Sequence, residues 1–480
     1  MLFTSITFVI FFTLFYFLYW FFFNRSLKLQ NLLILTGSYV FYAWWDWRFL
    51  LLLIASSLLN YFLGIGMFNS KQEKFRTILL WIGLLQGLGS LLFFKYFNFF
   101  VKSIVTSFNA FHIRPDIYTL NIILPLGISF YTFRTLSYLL DIKHGKIKPS
   151  TDWMVFFCYV SFFPCVISGP IDRPKTLIPQ LAKKRVFDYT QATDGMRQIL
   201  WGLFKKIVIA DNCAVFTNDI FEHYKTLPAS SLLFGAFLSL IQVYADFSGY
   251  SDIAIGLSNL MGFKITRNFN TPFFAQNMAD FWRRWHISLT SWLTDYVFTP
   301  LSIYLRNLGK TGLILAIVTN FMAIGIWHGA NWTFILFGFL NGCYYIPLIL
   351  RGTFNKQKKI VTRKPLPALL NMAATFILIM FTFILFRADS LAQAFDYYQR
   401  LFSRSLFSAP VIIEKVNTAA TLVCMVIMFG AEWLQRDKQH ALQIDCIKKF
   451  PVRAIIYYSL ILIILTFTAT RHTDFIYFKF

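Results

Sequence analysis

Apolar runs long enough to cross a lipid bilayer, or nearly so, recur from one end of this sequence to the other. Met1–Phe23 carries no charged residue over 23 residues, and a spanning helix needs about 20. Further runs are Phe49–Phe68, Thr77–Phe94, Leu313–Trp327, Leu366–Phe386, Leu422–Gly430 with its flanks, and Ala454–Ala469. Only 14% of the residues are charged and 57% are hydrophobic, whereas a soluble domain carries about 25% charged residues. Too few charges remain to cover a water-facing surface. The sequence therefore predicts a polytopic, all-helical membrane protein. Its first run reads as a retained helix and not a cleaved signal peptide: no Lys or Arg precedes it, and no small-residue cleavage site follows a short apolar stretch.

The net charge is +23. In a soluble chain this would point to nucleic acid. Here the basic residues cluster between apolar runs, as cytoplasmic loops do, so membrane lipids and not nucleic acid are the expected surroundings. Arg351–Lys364 holds six basic residues and no acidic one. Placing Arg25, Lys28, Lys71, Lys74, Arg76, Lys143, Lys146, Lys148 and the Arg351–Lys364 loop inside puts both termini outside. The number of crossings is then even, about 10 to 12 by the helix lengths a bilayer requires. The six cysteines form no CxxC pair, giving neither a disulfide framework nor a zinc site. Chain organisation is expected as one polytopic domain over 1–480: N-terminal helices in 1–150, a core in 151–350, and C-terminal helices with an outer tail in 351–480.

From about Phe156 to Trp332 the apolar runs are broken by Gly, Pro, Asn, Asp and Arg. Irregular backbone at membrane depth is tolerated only inside protein or beside a water-filled cavity, so a site is sought here. Three segments carry chemistry. In Asp246-Phe247-Ser248-Gly249-Tyr250-Ser251-Asp252, Asp246, Ser248 and Asp252 are candidate binding residues, because ionisable groups at membrane depth usually mark function. The bland alternative is a polar re-entrant turn. In Phe281–Trp292, Trp282, Trp285, Leu289 and Trp292 recur at helical spacing beside Arg283 and Arg284. That pattern fits an interfacial amphipathic helix. It also fits arginines holding the phosphates of a coenzyme thioester, with Trp285 beside them.

The third segment, Ala323–Trp332, contains Trp327-His328-Gly329 and Asn331. A lone histidine closing an apolar run is usually a packing residue. Gly329, with Trp327 and Trp332 nearby, instead implies close approach of another chain or a ligand. Histidine is also the side chain suited to take a proton near neutral pH. Only His286 and His328 lie in such segments. His112, His144, His223, His440 and His472 lie in loops or near helix ends.

Together Phe163-Pro164, Gly169-Pro170-Ile171, Asp246–Asp252, Trp282–Trp292 and Trp327-His328-Gly329 resemble the membrane-bound O-acyltransferase (MBOAT) superfamily. Within it they resemble the bacterial branch of alginate and peptidoglycan O-acetyltransferases and the teichoic-acid D-alanyl transferase. Pro125–Phe130 and Lys205-Lys206 with Ala210-Asp211-Asn212 fit the same branch. One departure is Arg134, where Phe-Tyr-Thr-Phe is expected to continue with Gln.

The resemblance implies a ring of tilted transmembrane helices and re-entrant segments around a central tunnel. His328 matches the catalytic histidine and His286 a second histidine of the branch. No bound cofactor is implied. Acetyl-CoA is the implied donor, a cell-envelope polysaccharide such as alginate or peptidoglycan the acceptor, and a secreted or membrane-anchored SGNH-type acyltransferase or esterase the partner. The location implied is the bacterial inner membrane. The terminal Phe475–Phe480 run resembles an aromatic motif associated with acyl handover, with Tyr477 as carrier; an aromatic anchor at the outer interface is the alternative. Two other functions fit the broken middle section: a transporter or channel for an acyl donor or polysaccharide, and an acyltransferase acting on a lipid or small molecule.

Overall fold

The computed structural model describes residues 1–110, 119–354 and 365–468. Tyr477 and its tail, His112, His472 and most of the Arg351–Lys364 loop lie outside the described residues. Among those described, every regular element is a helix. Eight helices are long and apolar enough to cross a membrane: Trp47–Asn69, Glu73–Asn109, Ala229–Leu260, Arg306–His328, Trp332–Leu350, Pro365–Arg387, Lys415–Leu434 and Phe450–Phe467. Five contain an apolar run read from the sequence, and Phe450–Phe467 covers most of a sixth, Ala454–Ala469. The apolar segment Ile6–Phe22 falls below that length, as does the more polar 16-residue helix Ile128–Lys143.

Two spans, Trp332–Leu350 and Ala229–Leu260, are not among those runs, and Ala229–Leu260 is the more unexpected. It runs unbroken for 32 residues through Asp246–Asp252, so that segment is a helix interior and not a re-entrant turn. Polar residues lower its apparent hydropathy, but most of its length is buried. Buried neighbours can satisfy Asp, Ser and Tyr side chains that lipid could not.

The chain divides into two compact units. One comprises Met1–Met196 with Ala254–Thr266, the other Arg197–Ile253 with Arg267–Phe480. In the first, nearly all of the Ile128–Lys143 helix is buried, including Arg134. The Arg134 guanidinium donates to the carbonyls of Tyr159 (3.0 Å) and Pro170 (3.2 Å). The Tyr159 hydroxyl donates back to the Arg134 carbonyl. Asp172 accepts from the Thr266 backbone N–H (2.8 Å) and hydroxyl (2.7 Å). Burial raises the Asp172 carboxyl above the usual range, against the opposing pull of Arg134. Arg134 thus pins the irregular backbone around Pro164–Ile171, which explains its use at this position. A planar guanidinium can serve several carbonyls at once.

In the second unit, the Gly309–His328 and Trp332–Cys343 helices pack almost backbone to backbone. A Cβ added at Gly325 would lie 2.1 Å from the Phe334 carbonyl oxygen, and one at Gly338 2.4 Å from that of Phe321. Small residues permit this approach between membrane helices, and it sets where His328 emerges.

Candidate active site

The segment expected to be one amphipathic helix is two short helices, Met278–Trp282 and Ile287–Leu293. Between them His286 takes a left-handed backbone, φ 44° and ψ 53°. For a non-glycine residue this costs roughly 1–3 kcal/mol and persists only where the surroundings hold it. The break removes the surface stripe. Trp282, Trp285, Leu289 and Trp292 are all buried, so the interfacial reading does not hold. Their rings are partnered by protein: Trp282 Nε1 donates to Asn341 Oδ1 at 3.1 Å, and Trp285 stacks on Phe281 at 5.3 Å.

The turn places His286 beside His328, the last residue of the Gly309–His328 helix. Their ring centroids are 6.3 Å apart, and exposures are 1% and 3%. Aromatic side chains surround both. Phe247 of the Ala229–Leu260 helix meets His286 edge-on at 4.6 Å. Trp327 lies 5.4 Å from His286 and 5.1 Å from His328. Phe386 of the Pro365–Arg387 helix lies 5.0 Å from His328, and Phe337 lies 6.1 Å away. His286 is outside the eight spanning helices. Burial holds its imidazole well below its ordinary pKa, and His328 adds to the effect. A neutral imidazole is the form that accepts a proton.

Gly329 is explained by the same packing. A Cβ there would lie 2.3 Å from the Phe334 ring. The close approach inferred from the sequence is made by a side chain of the same protein. Gly329 itself is extended (φ −171°), so space and not conformation demands glycine.

The other candidates divide by what they touch. Arg284 donates to Asp280 Oδ1 at 3.0 Å and to the Asn270 carbonyl. Asn331 caps the Trp332–Cys343 helix through Thr333 N–H and donates to the Asp389 carbonyl. Both are engaged within the fold. Among the described residues, Arg283 Nε and Nη2 and the buried Ser248 hydroxyl have no hydrogen-bond partner. Those groups remain able to meet a polar ligand.

Asp246 and Asp252 belong to a separate buried ion network. Lys206 Nζ lies 2.9 Å from Asp246 Oδ1 and 2.8 Å from Asp211 Oδ1. Lys205 Nζ lies 2.5 Å from Asp252 and 4.0 Å from Glu432. Tyr244 donates to both Glu432 oxygens, at 2.8 and 2.9 Å. Gln198 donates to Asp252 at 2.9 Å. The lysines sit on a π-helix, Phe204–Ala210, where the wider turn re-aims adjacent side chains. Burial lowers the Lys206 pKa and its two carboxylates raise it; the carboxylates prevail. Glu432 and Tyr244 were not among the sequence candidates. An acid in the last turn of an apolar helix was the available signal.

Comparisons with known proteins identify what the chain is similar to. Residues 149–387, which contain both histidines, match the model of the MBOAT, membrane-bound O-acyltransferase family. The chain is 36% identical over 386 residues to the "Probable alginate O-acetylase AlgI" of Azotobacter vinelandii, covering 78% of this chain and 73% of that protein. It is 32% identical over 477 residues to the protein of the same name in Pseudomonas putida, covering 94% and 95%. It is 34% identical over 400 residues to the "Peptidoglycan O-acetyltransferase" of Helicobacter pylori, covering 76% and 72%. A match to the family model over 149–387, together with relatives 32–36% identical over most of the length of both chains, places this multi-helix chain plainly: it belongs to the membrane-bound O-acyltransferase family.

Proposed function

We propose that this protein transfers an acetyl group from acetyl-CoA, reached from the cytoplasmic side of the inner membrane, for O-acetylation of a cell-envelope polysaccharide outside. The carrying observation is the buried His286–His328 pair. Support for the acceptor class comes from the relatives, whose names specify alginate and peptidoglycan. Positive-inside clustering of the basic loops supports the orientation, with both termini outside.

In this reading His328 is the general base. It takes a proton from the attacking hydroxyl as that oxygen bonds to the thioester carbonyl carbon. The C–S bond then breaks, and the proton passes to the departing thiolate. Positioned base catalysis is worth about 10²–10⁴-fold. His286 orients the acceptor or polarises the carbonyl. Arg283, with its unpartnered donors, holds donor phosphate, because a guanidinium suits phosphate oxygens. Ser248 contacts the bound substrate. Arg284, Trp285, Asp246, Asp252 and Asn331 shape the walls that hold these groups. Tyr477 receives the acetyl group on its phenolic oxygen and passes it to an SGNH-type partner outside.

The test is mass spectrometry of polymer O-acetyl esters in a deletion strain complemented with each variant. His328→Ala, present in the membrane at normal level, is expected to leave background ester. Wild-type ester would overturn the assignment. Ester lost from a lipid or small molecule instead would redirect the acceptor. Tyr477→Phe keeps the ring and removes the nucleophile, so it is expected to match the deletion; ester formed at the wild-type rate would dismiss the carrier role.

A further inference from the structure

The left-handed backbone at His286 needs something to hold it, and the Ile287–Leu293 helix needs acceptors for its first N–H groups. Ordinarily the residue at the helix start provides one from its own side chain. His286 occupies that position and makes no such bond. Asn268, eighteen residues earlier and fully buried, does both tasks from outside the helix. Its backbone carbonyl accepts from Ile287 N–H at 2.8 Å. Its side-chain Oδ1 accepts from Ser288 N–H at 3.3 Å. Its Nδ2 donates to Ser251 Oγ at 3.1 Å. Two residues on, Asn270 N–H donates to the Arg284 carbonyl at 2.9 Å, closing the bracket on the other side of the turn.

The anchor point matters. Ser251 is four residues after Phe247 on the Ala229–Leu260 helix, so the two side chains share a face. Phe247 is the ring that meets His286 at 4.6 Å. The same helix face therefore locates both the His286 ring and the residue that caps its turn. We propose that Asn268 is a positioning residue: it caps the Ile287–Leu293 helix from another segment and ties it to Ser251, so that the His286 imidazole stays free of capping duty and fixed opposite His328. The inference rests on the acyl-transfer reading above, because it assigns Asn268 a role through His286.

The experiment measures the rate of O-acetyl ester formation on envelope polymer in complemented cells. Membrane abundance and the size-exclusion profile in detergent are measured for each variant. The variants are Asn268→Ala, Asn268→Asp, Ser251→Ala, His286→Ala, and the double variants pairing His286→Ala with Asn268→Ala and with Ser251→Ala. Displacing a catalytic group by about 1 Å can cost about 10²-fold, so Asn268→Ala is expected to lose about 10- to 100-fold. Asn268→Asp keeps the acceptor, and the Ser251 hydroxyl can turn to donate to it, so most of the rate is expected to return. Each double variant is expected to be no slower than His286→Ala alone, since a residue acting through another shows no independent loss. Losses that multiply would overturn the inference, as would an Asn268→Ala variant at wild-type rate while His286→Ala is impaired. If Asn268→Ala does not accumulate, Asn268→Asp and the Ser251 pair decide in the same way. A His286→Ala variant at wild-type rate would remove the role of His286 itself, and the positioning inference with it, while leaving the His328 assignment to its own test.

Discussion

The Ala229–Leu260 helix serves two neighbouring regions that solve the problem of buried polar groups in opposite ways. Around His286 and His328, aromatic rings surround two titratable side chains, and burial keeps His286 neutral. Around Lys205 and Lys206, each ammonium group is met by carboxylate oxygens at 2.5–2.9 Å. Phe247 serves the first region and Asp246 the second, one residue apart. Successive helical residues point about 100° apart, which is how one helix supplies both. Under the proposed function, the difference separates chemistry from architecture. A neutral imidazole in an apolar box can gain and lose a proton. A lysine held between two carboxylates is committed to its charge, and removing one partner strands the others.

That contrast can be broken experimentally. The largest expected effect is on transfer: His328→Ala should abolish ester formation while leaving the detergent-solubilised protein's thermal midpoint near that of wild type. A large fall in the midpoint would show that the histidine pair is structural. Next comes Lys206→Met. Leaving Asp211 and Asp246 buried without their cation should destabilise the fold by about 3–5 kcal/mol, seen as low membrane abundance and a lowered thermal midpoint. A stable but inactive Lys206→Met would place the ion network in the chemistry and erase the distinction. The smallest is Gly329→Ala. Its new methyl would meet the Phe334 ring at 2.3 Å, so the ring must move; overpacking of this kind costs about 1–3 kcal/mol. Since Phe334 also lies near His328, activity should fall with it, and Phe334→Leu should restore part of the loss. No rescue would mean that Gly329 matters for a reason other than this contact.

Much of this was legible in the chain itself. Hydropathy located six of the eight spanning helices, because a lipid-facing helix must be apolar over about 20 residues. Ala229–Leu260 escaped because it is surrounded by protein, where Asp246 and Asp252 can be paired. The motifs singled out His286 and His328. They did not disclose that Trp282–Trp292 is broken in the middle, since helical spacing of tryptophans persists across a single left-handed residue. Nor did they expose Asn268, whose role lies in three bonds to residues 17 to 20 positions away.

By itself, then, the sequence determined that the chain is a many-helix membrane protein and which histidines to watch. These properties follow from local composition and spacing: lipid selects apolar length, and few residue types take a proton near neutral pH. The tertiary structure alone decided that the two histidines face each other, that Gly329 makes room for Phe334, and that Asp246 and Asp252 are neutralised by the lysine pair. Each is a distance between residues far apart in the chain, set by backbone packing and by a turn held from outside, and no local pattern encodes such a distance.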